Sequence, residues 1–521
     1  FFVLTYEEIR SIVTSVSLMG TAEKCKGQKR MGQILSVMES ILEWIWDNLY
    51  IINVVFAIAI VFFQRKSPKE VWAWLLLMYF IPIVGFLLYM VVHQDMYKRH
   101  MFQIKEIEDK LNASIRKLEK RIQKDKKMLL PDDMKQYNNL VLYNLDTTGS
   151  VYSNDNSVEI YTDGVEKFQR LLDEIDKAES FIHIEYYIIK KDELFQKIKE
   201  HLVEKVRQGV EVRILYDSMG CRNMMKKDWR ELNGYGIKTG DFFPASLKWL
   251  HVRLNYRNHR KIVVIDNKVG FVGGFNVGRE YISLDKKFGY WRDTHFVLYG
   301  TSVADLEMRF ALDWNYATKE NLFLDGQKYF ARWEETCSGH KGMQIITSGP
   351  DSKYPQIRDT YLSMMHKATK NIYIQTPYFV PDEPILAALK FAARAGIDVR
   401  LMIPCKPDHP FVYWATYSYM GELLEAGAKC YTYENGFLHA KGITVDGMVT
   451  CYGTANMDIR SFALNFEVNA VVYDRETAME MEEIFRRDME HSKEVTWNDY
   501  SHRNLSIRLK EQISRLFSPV M

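Results

Sequence analysis

The chain has 521 residues, 47% hydrophobic and 26% charged, with 69 Lys and Arg against 67 Asp and Glu. That length suggests three or four structural units, and that composition excludes collagen-like, low-complexity and disulfide-scaffold proteins. A net charge of +2 argues against a protein built mainly to neutralise a polyanion, so no nucleic-acid partner is expected.

Residues 1–40 form an N-terminal extension of unclear status, beginning at Phe1, with Met31 as a candidate start. Two uncharged stretches follow, seventeen residues from Asn48 to Gln64 and twenty-two from Val71 to Val92. About 20 apolar residues cross a hydrocarbon core, so residues 41–95 are predicted to form a two-helix transmembrane hairpin. Trp44, Trp46, Tyr50, Trp72, Trp74 and Tyr89 supply aromatic belts, and QRKSPKE connects the spans. Basic residues in the two flanks outnumber those in the connector, which places both flanks and the long remainder of the chain in the cytoplasm of a multi-pass cell-membrane protein. Within residues 96–150, Ile107, Leu111, Ile115, Leu118 and Ile122 recur at helical spacing. Eleven basic and five acidic residues fill Lys98–Lys127. This reads as a basic amphipathic helix, either lying on an anionic bilayer or serving as a solvated connector. The six cysteines are scattered with no CxxC pair, which reads as reduced thiols and no metal site.

The remainder repeats itself. AESFIHIEYY (Ala178–Tyr187) matches ATKNIYIQTPY (Ala368–Tyr378), GVEVRILYD (Gly209–Asp217) matches GIDVRLMIP (Gly396–Pro404), and RELNGYGIK (Arg230–Lys238) matches GELLEAGAK (Gly421–Lys429). Short apolar runs alternating with helical patterns predict parallel strands sandwiched by helices. The expected fold is a duplicated α/β sandwich with pseudo-two-fold symmetry, its halves at 151–325 and 326–521.

Each half carries the same constellation. NHRKIVVIDNKVGFVGGFN supplies His259, Lys261, Asp266, Gly273 and Asn276; LHAKGITVDGMVTCYGTAN supplies His439, Lys441, Asp446, Gly453 and Asn456. One HxK is weak, whereas two copies of HxKxxxxD with a later GxxN, in register with an independent repeat, are not a chance event. His and Lys two apart on a strand share a face. Each Asp sits where turn chemistry is expected and is predicted to fix the hairpin. Pairing the halves brings two His, two Lys and two Asn together. That set suits a phosphodiester: lysines and amides neutralise the oxyanions, one imidazole attacks phosphorus, and the other protonates the leaving oxygen. The lysines supply the positive charge, so no metal or other cofactor is expected. Each imidazole also needs a partner on Nδ1, and the candidates are the acids downstream, Asp293 in YWRDTHF and Glu467 in NFEVNAVVYD.

The paired motifs resemble the phospholipase D superfamily. Within it, the double span, QTPYFVPDEPILAALKFAARAGIDVRLMIPCKPDHPFVYWATYSYMGELLEAGAK, YENGFLHAK, GTANMDIRSFALNFEVNAVVYD and YWRDTHF closely resemble the bacterial cardiolipin synthases, from about Trp44 to the C-terminus. The resemblance implies a covalent phosphohistidine, with His259 as nucleophile and His439 as acid/base. It also implies that Lys261, Lys441, Asn276 and Asn456 hold the phosphate. The implied reaction transfers a phosphatidyl group between two phosphatidylglycerols, giving cardiolipin and glycerol. The alternatives are a membrane-bound phospholipase D-type phosphodiesterase that uses water, and a non-enzymatic lipid-binding scaffold.

Overall fold

The computed structural model describes residues 130–243, 256–330 and 339–518, residues 68–81, and separate positions between 36 and 58 and at 85. The chain divides into two units, 1–94 and 95–521. In the first, Pro68–Phe80 is a 13-residue helix, opened by a proline whose missing N–H costs nothing at that position. Most of the two expected spans, like the expected basic helix, lies outside the described residues. Among the described residues no helix is long and apolar enough to cross a membrane.

The second unit holds two sheets built on one plan. The first half contains β1 (Ser153–Asp163), β2 (Phe181–Tyr186), β3 (Glu211–Tyr216), β4 (Lys238–Asp241), β5 (Arg257–Asn258), β6 (Lys261–Ile265), β7 (Val269–Gly273) and β8 (Trp291–Tyr299). Their order across the sheet is β4-β3-β2-β6-β7-β8-β1. The second half contains β9 (Lys341–Ser348), β10 (Asn371–Gln375), β11 (Phe379–Val380), β12 (Asp398–Pro404), β13 (Lys429–Tyr433), β14 (Phe437–Leu438), β15 (Gly442–Val445), β16 (Val449–Gly453), β17 (Met457–Asp458), β18 (Asn465–Tyr473) and β19 (Ser492–Val495). Here the order is β19-β13-β12-β10-β15-β16-β18-β9, with β11 and β17 forming a small parallel ribbon.

The sheets are mixed rather than parallel. In each half three strands run parallel (β4, β3, β2 and β13, β12, β10), joined by helical crossovers. The motif strands run antiparallel, because a tight turn between β6 and β7, or β15 and β16, permits no other direction. Aspartates cap several of the helices: Asp163, Asp192, Asp382 and Asp474 each accept from N–H groups of a first turn.

Both faces of the central strands are buried, which explains their unbroken apolar runs. Along β6, Val263 and Ile265 pack into the outer core of the first half. Ile262 and Val264 point the other way, into a cluster shared with Ile345, Val468, Ala470 and Val472 of the second half. The halves are therefore fused along an apolar seam. Three further bridges stitch their backbones: β1 to β9, β14 to β8, and β5 to β18. The last two bridges position the site.

Candidate active site

The Asp of each motif closes its hairpin. Asp266 and Asn267 have φ of 53° and 55°, and Asp446 and Gly447 have 57° and 61°. This left-handed region is open to glycine and tolerated by Asp and Asn. The turns are closed by Lys268 N–H donating to Ile265 and Met448 N–H to Val445, at 2.9 and 3.0 Å. The Asp266 carboxylate accepts from the backbone N–H groups of Glu179, Ser180 and Phe181 at 2.7, 2.8 and 2.8 Å. Asp446 accepts likewise from Thr369, Lys370 and Asn371, at 2.8, 2.7 and 3.0 Å. Both carboxylates thus pin a motif hairpin to the start of β2 or β10, at the strand ends remote from the histidines.

The histidines emerge where the halves exchange backbone hydrogen bonds. β5 runs parallel to β18, and His259 N–H donates to the Phe466 carbonyl at 2.9 Å. β14 runs parallel to β8, and His439 N–H donates to the Arg292 carbonyl at 2.7 Å. The next residue along each partner strand is an acid. So the acids cross over: His259 Nδ1 bonds Glu467 Oε2 at 2.9 Å, and His439 Nδ1 bonds Asp293 Oδ2 at 2.6 Å. Each acid follows the motif of one half in sequence and orients the imidazole of the other. A carboxylate only accepts, so both rings carry hydrogen on Nδ1 and present the Nε2 lone pair. The acids are themselves anchored. Thr454 Oγ1 donates to Glu467 at 2.6 Å and Thr294 N–H to Asp293 at 2.8 Å. Gly274 is required beside Asp293, since a Cβ there would lie 1.9 Å from its carboxylate oxygen.

Lys261 Nζ donates to the carbonyl of His259 at 2.7 Å, and Lys441 Nζ makes the same bond to His439. Both lysines are buried. Burial, opposed by the pull of Glu467 and Asp293 and aided by repulsion from Lys441, sets the Lys261 ammonium down at about 7. Lys441 falls to about 8, with burial again the largest cause and both acids pulling upward. Burial and the nearby Lys441 hold His439 down at about 4 despite Asp293. Burial likewise lowers His259 against the pull of Glu467. Burial would raise both acids, but Lys441 and His439 more than offset it at Asp293, as His259 and Lys261 do at Glu467. With both lysines charged, two cations face two anions around two neutral imidazoles. Adding a phosphodiester monoanion leaves room for one more proton, and an imidazole is placed to take it.

His259, His439, Asn276 and Asn456 line one cavity of about 590 Å³. The structure therefore brings both imidazoles and both amides to a common space, with the lysines buried behind and the aspartates remote. Asn276 is already engaged: its carbonyl accepts from Ile188 N–H at 3.1 Å and its amide donates to Tyr281 Oη at 2.9 Å. Among the described residues, the buried Asn456 carbonyl oxygen has no hydrogen-bond partner. Sequence reasoning passed over the aromatic walls. Tyr187 meets the His259 ring edge-on at 4.9 Å, and Trp291 lies 5.0 Å from that of His439. Tyr187 and Tyr378, which both line the cavity, end the repeated segments AESFIHIEYY and ATKNIYIQTPY; that recurrence was the available signal.

A family model described as "Cardiolipin synthase, PLD-like domain" matches residues 171–314 and 361–489. The chain belongs to the bacterial cardiolipin synthase family of the phospholipase D superfamily. It is 46% identical over 480 residues to the major cardiolipin synthase of Bacillus subtilis (strain 168), covering 91% of this chain and 98% of that one. It is 44% identical over 473 residues to a cardiolipin synthase of Oceanobacillus iheyensis, covering 91% and 98%. A model described as phospholipase D-nuclease N-terminal matches residues 51–92. The fold is shared with the crystal structure of a phosphatidylserine synthase from Haemophilus influenzae Rd KW20. That match has a TM-score of 0.55 at 14% identity, over 70% of this chain and 95% of that one.

Proposed function

We propose that this protein transfers the phosphatidyl group of one phosphatidylglycerol to a second, yielding cardiolipin and glycerol. The observation that carries the reading is a single cavity holding two imidazoles, each oriented through Nδ1 by an acid from the opposite half. His259 Nε2 attacks phosphorus; the P–N bond forms as the P–O bond to glycerol breaks, and His439 delivers a proton to the departing oxygen. The terminal hydroxyl of the second lipid then gives its proton to His439 and its oxygen to phosphorus, releasing His259. Lys261, Lys441, Asn276 and Asn456 stabilise the phosphoryl oxygens. Exchange of one phosphodiester for another is nearly isoenergetic, so the site mainly has to exclude water.

A multi-pass cell-membrane location, with the catalytic unit on the cytoplasmic side, completes the proposal. The uncharged stretches at 48–64 and 71–92 support it. So does the helix Leu505–Leu516. Its exposed side carries Leu505, Leu509, Ile513 and Leu516, while Glu511 and Ser514 are buried beneath. This polarity is the reverse of a soluble surface helix. Ser518, two residues past its end, lines the cavity, so a bilayer holding this stripe would present lipid headgroups at the mouth.

Membranes supplied with labelled phosphatidylglycerol test the reading. Wild type should release glycerol in step with cardiolipin, and His259→Ala and His439→Ala should each abolish cardiolipin formation and multiple-turnover glycerol release. Phosphatidic acid as the main product would instead establish water as the acceptor. Activity persisting in either variant would overturn the two-imidazole scheme.

A further inference from the structure

Among the described residues, Lys190, Arg222, Arg257, Arg460, Asp408 and Asp458 are the charged residues lining the cavity, and at two pairs of matching positions this lining departs from the repeat. Two residues before His259, in β5, stands Arg257; the residue two before His439, in β14, is Phe437. Phe437 is buried among rings, 4.9 Å from Trp291 and 5.3 Å from Phe288. Four residues after Asn456 comes Arg460; four after Asn276 comes Glu280, buried and ion-paired with Lys190. The symmetric scaffold thus carries two guanidinium groups on one side and, at the matching positions, an aromatic ring and a neutralised acid on the other.

Both arginines line the cavity. The β5–β18 bridge fixes Arg257 opposite Asn465. Arg460 lies in the short helix Ile459–Ala463, whose cap, Asp458, accepts from Ser461 N–H at 2.6 Å. Facing the same cavity, their charges interact: after burial, the charge of Arg257 is the largest influence holding Arg460 below its ordinary value. The phenol of Tyr187, beside His259, feels both cations. Asp458 and Glu467 offset part of the repulsion at Arg460. Holding two like charges together on a partly desolvated wall is unfavourable, and an anion bridging them removes that cost while gaining charge-assisted hydrogen bonds.

The proposed reaction requires such an anion. Two phosphates must be present when cardiolipin forms: the reacting one between the imidazoles, and the one that the acceptor lipid already carries three carbons from its attacking hydroxyl. Water and free glycerol lack the second. Resting on the transferase reading above, we infer that Arg257 and Arg460 form a second anion subsite that holds the non-reacting phosphate of the acceptor phosphatidylglycerol. In the step it serves, the acceptor oxygen forms the new P–O bond, the P–N bond breaks, and the hydroxyl proton goes to the acid/base imidazole. The arginines exchange no proton and act as positioning residues, selecting an acceptor that is itself a phosphodiester.

The test uses the full-length enzyme with phosphatidylglycerol vesicles and two readouts. One is cardiolipin formation; the other is incorporation of labelled glycerol into phosphatidylglycerol, which uses the same donor and imidazoles but an acceptor without phosphate. Losing a charge-assisted contact should lower cardiolipin formation by about tenfold or more in Arg257→Gln and in Arg460→Gln. Glycerol incorporation should stay within about twofold of wild type, which also shows that each variant is folded. The charge-preserving Arg257→Lys and Arg460→Lys should keep most of both activities. Equal loss of both readouts in a variant with an unchanged melting transition would assign the arginines to the reacting phosphate and overturn the subsite, as would no loss of either. A wild-type enzyme that incorporates glycerol but makes no cardiolipin would overturn the transferase reading itself, and the subsite with it.

Discussion

At the scale of single residues the site is an exercise in holding charge where water is scarce. Lys261 and Lys441 are buried where each feels the charges of Glu467 and Asp293, and their ammonium groups lie at about 7 and about 8 instead of the ordinary 10.5. A phosphodiester anion placed between them favours the charged forms and raises both values. A group whose value rises on binding takes up protons between its free and bound values, here starting from about 7 for Lys261 and about 8 for Lys441. Binding of a non-reactive phosphonate analogue of phosphatidylglycerol at pH 9 should therefore draw on the order of one to two protons from the buffer. Calorimetry in buffers of differing ionisation enthalpy reads this number directly. Proton release, or no exchange, would mean that the lysines do not meet the anion.

At the scale of elements, the two motif hairpins depend on Asp266 and Asp446. Each carboxylate satisfies three backbone N–H groups on the neighbouring segment. Replacing Asp266 by Ala removes these bonds and puts an intolerant residue at positive φ; the expected loss is about 3 kcal/mol or more. Asp266→Asn, which tolerates that backbone and keeps one acceptor oxygen, should lose roughly half as much. Denaturant unfolding measures both. An unchanged stability together with abolished phosphatidyl transfer would move Asp266 from the frame into the chemistry. This role was legible in the sequence, because Asp-Asn and Asp-Gly between apolar runs carry their own turn physics. The directions of the surrounding strands were less legible. Apolar runs buried on both faces look alike in parallel and antiparallel sheets, and only the tight turns betrayed that β6, β7, β15 and β16 run antiparallel.

At the scale of the whole molecule, the site exists only because the halves interlock. His259 with Glu467, and His439 with Asp293, are bridged by two-residue parallel contacts, β5 with β18 and β14 with β8. Duplication, both histidines and both acids could be picked from local pattern. Which acid serves which histidine could not, since two-residue bridges leave no periodicity and chain order suggests the opposite pairing. Arg257 and Arg460 were invisible for a similar reason: singly, each looks like an ordinary surface charge. Crossed pairing has a direct consequence. Glu467→Gln should perturb the ring signals of His259 and leave those of His439 in place, and Asp293→Asn should do the reverse, as read by imidazole NMR. Each variant should also lose roughly 10²-fold or more in rate, the scale of misorienting a catalytic imidazole. Perturbation confined within one half would dissolve the interlocked site.

The central claim is that the phosphatidyl group passes through a nitrogen–phosphorus bond inside this shared cavity. Acid quenching of His439→Ala with phosphorus-labelled phosphatidylglycerol, followed by peptide mapping, tests it most directly. That variant lacks both the proton donor for the departing glycerol and the base for the acceptor; water supplies the first proton slowly, once per site, but nothing activates the second lipid, so label carried into the adduct should persist. The account predicts label on the peptide bearing His259, and none when His259 is also replaced. A fully active wild-type enzyme whose variants trap no adduct, or label on a residue other than a histidine, would contradict it.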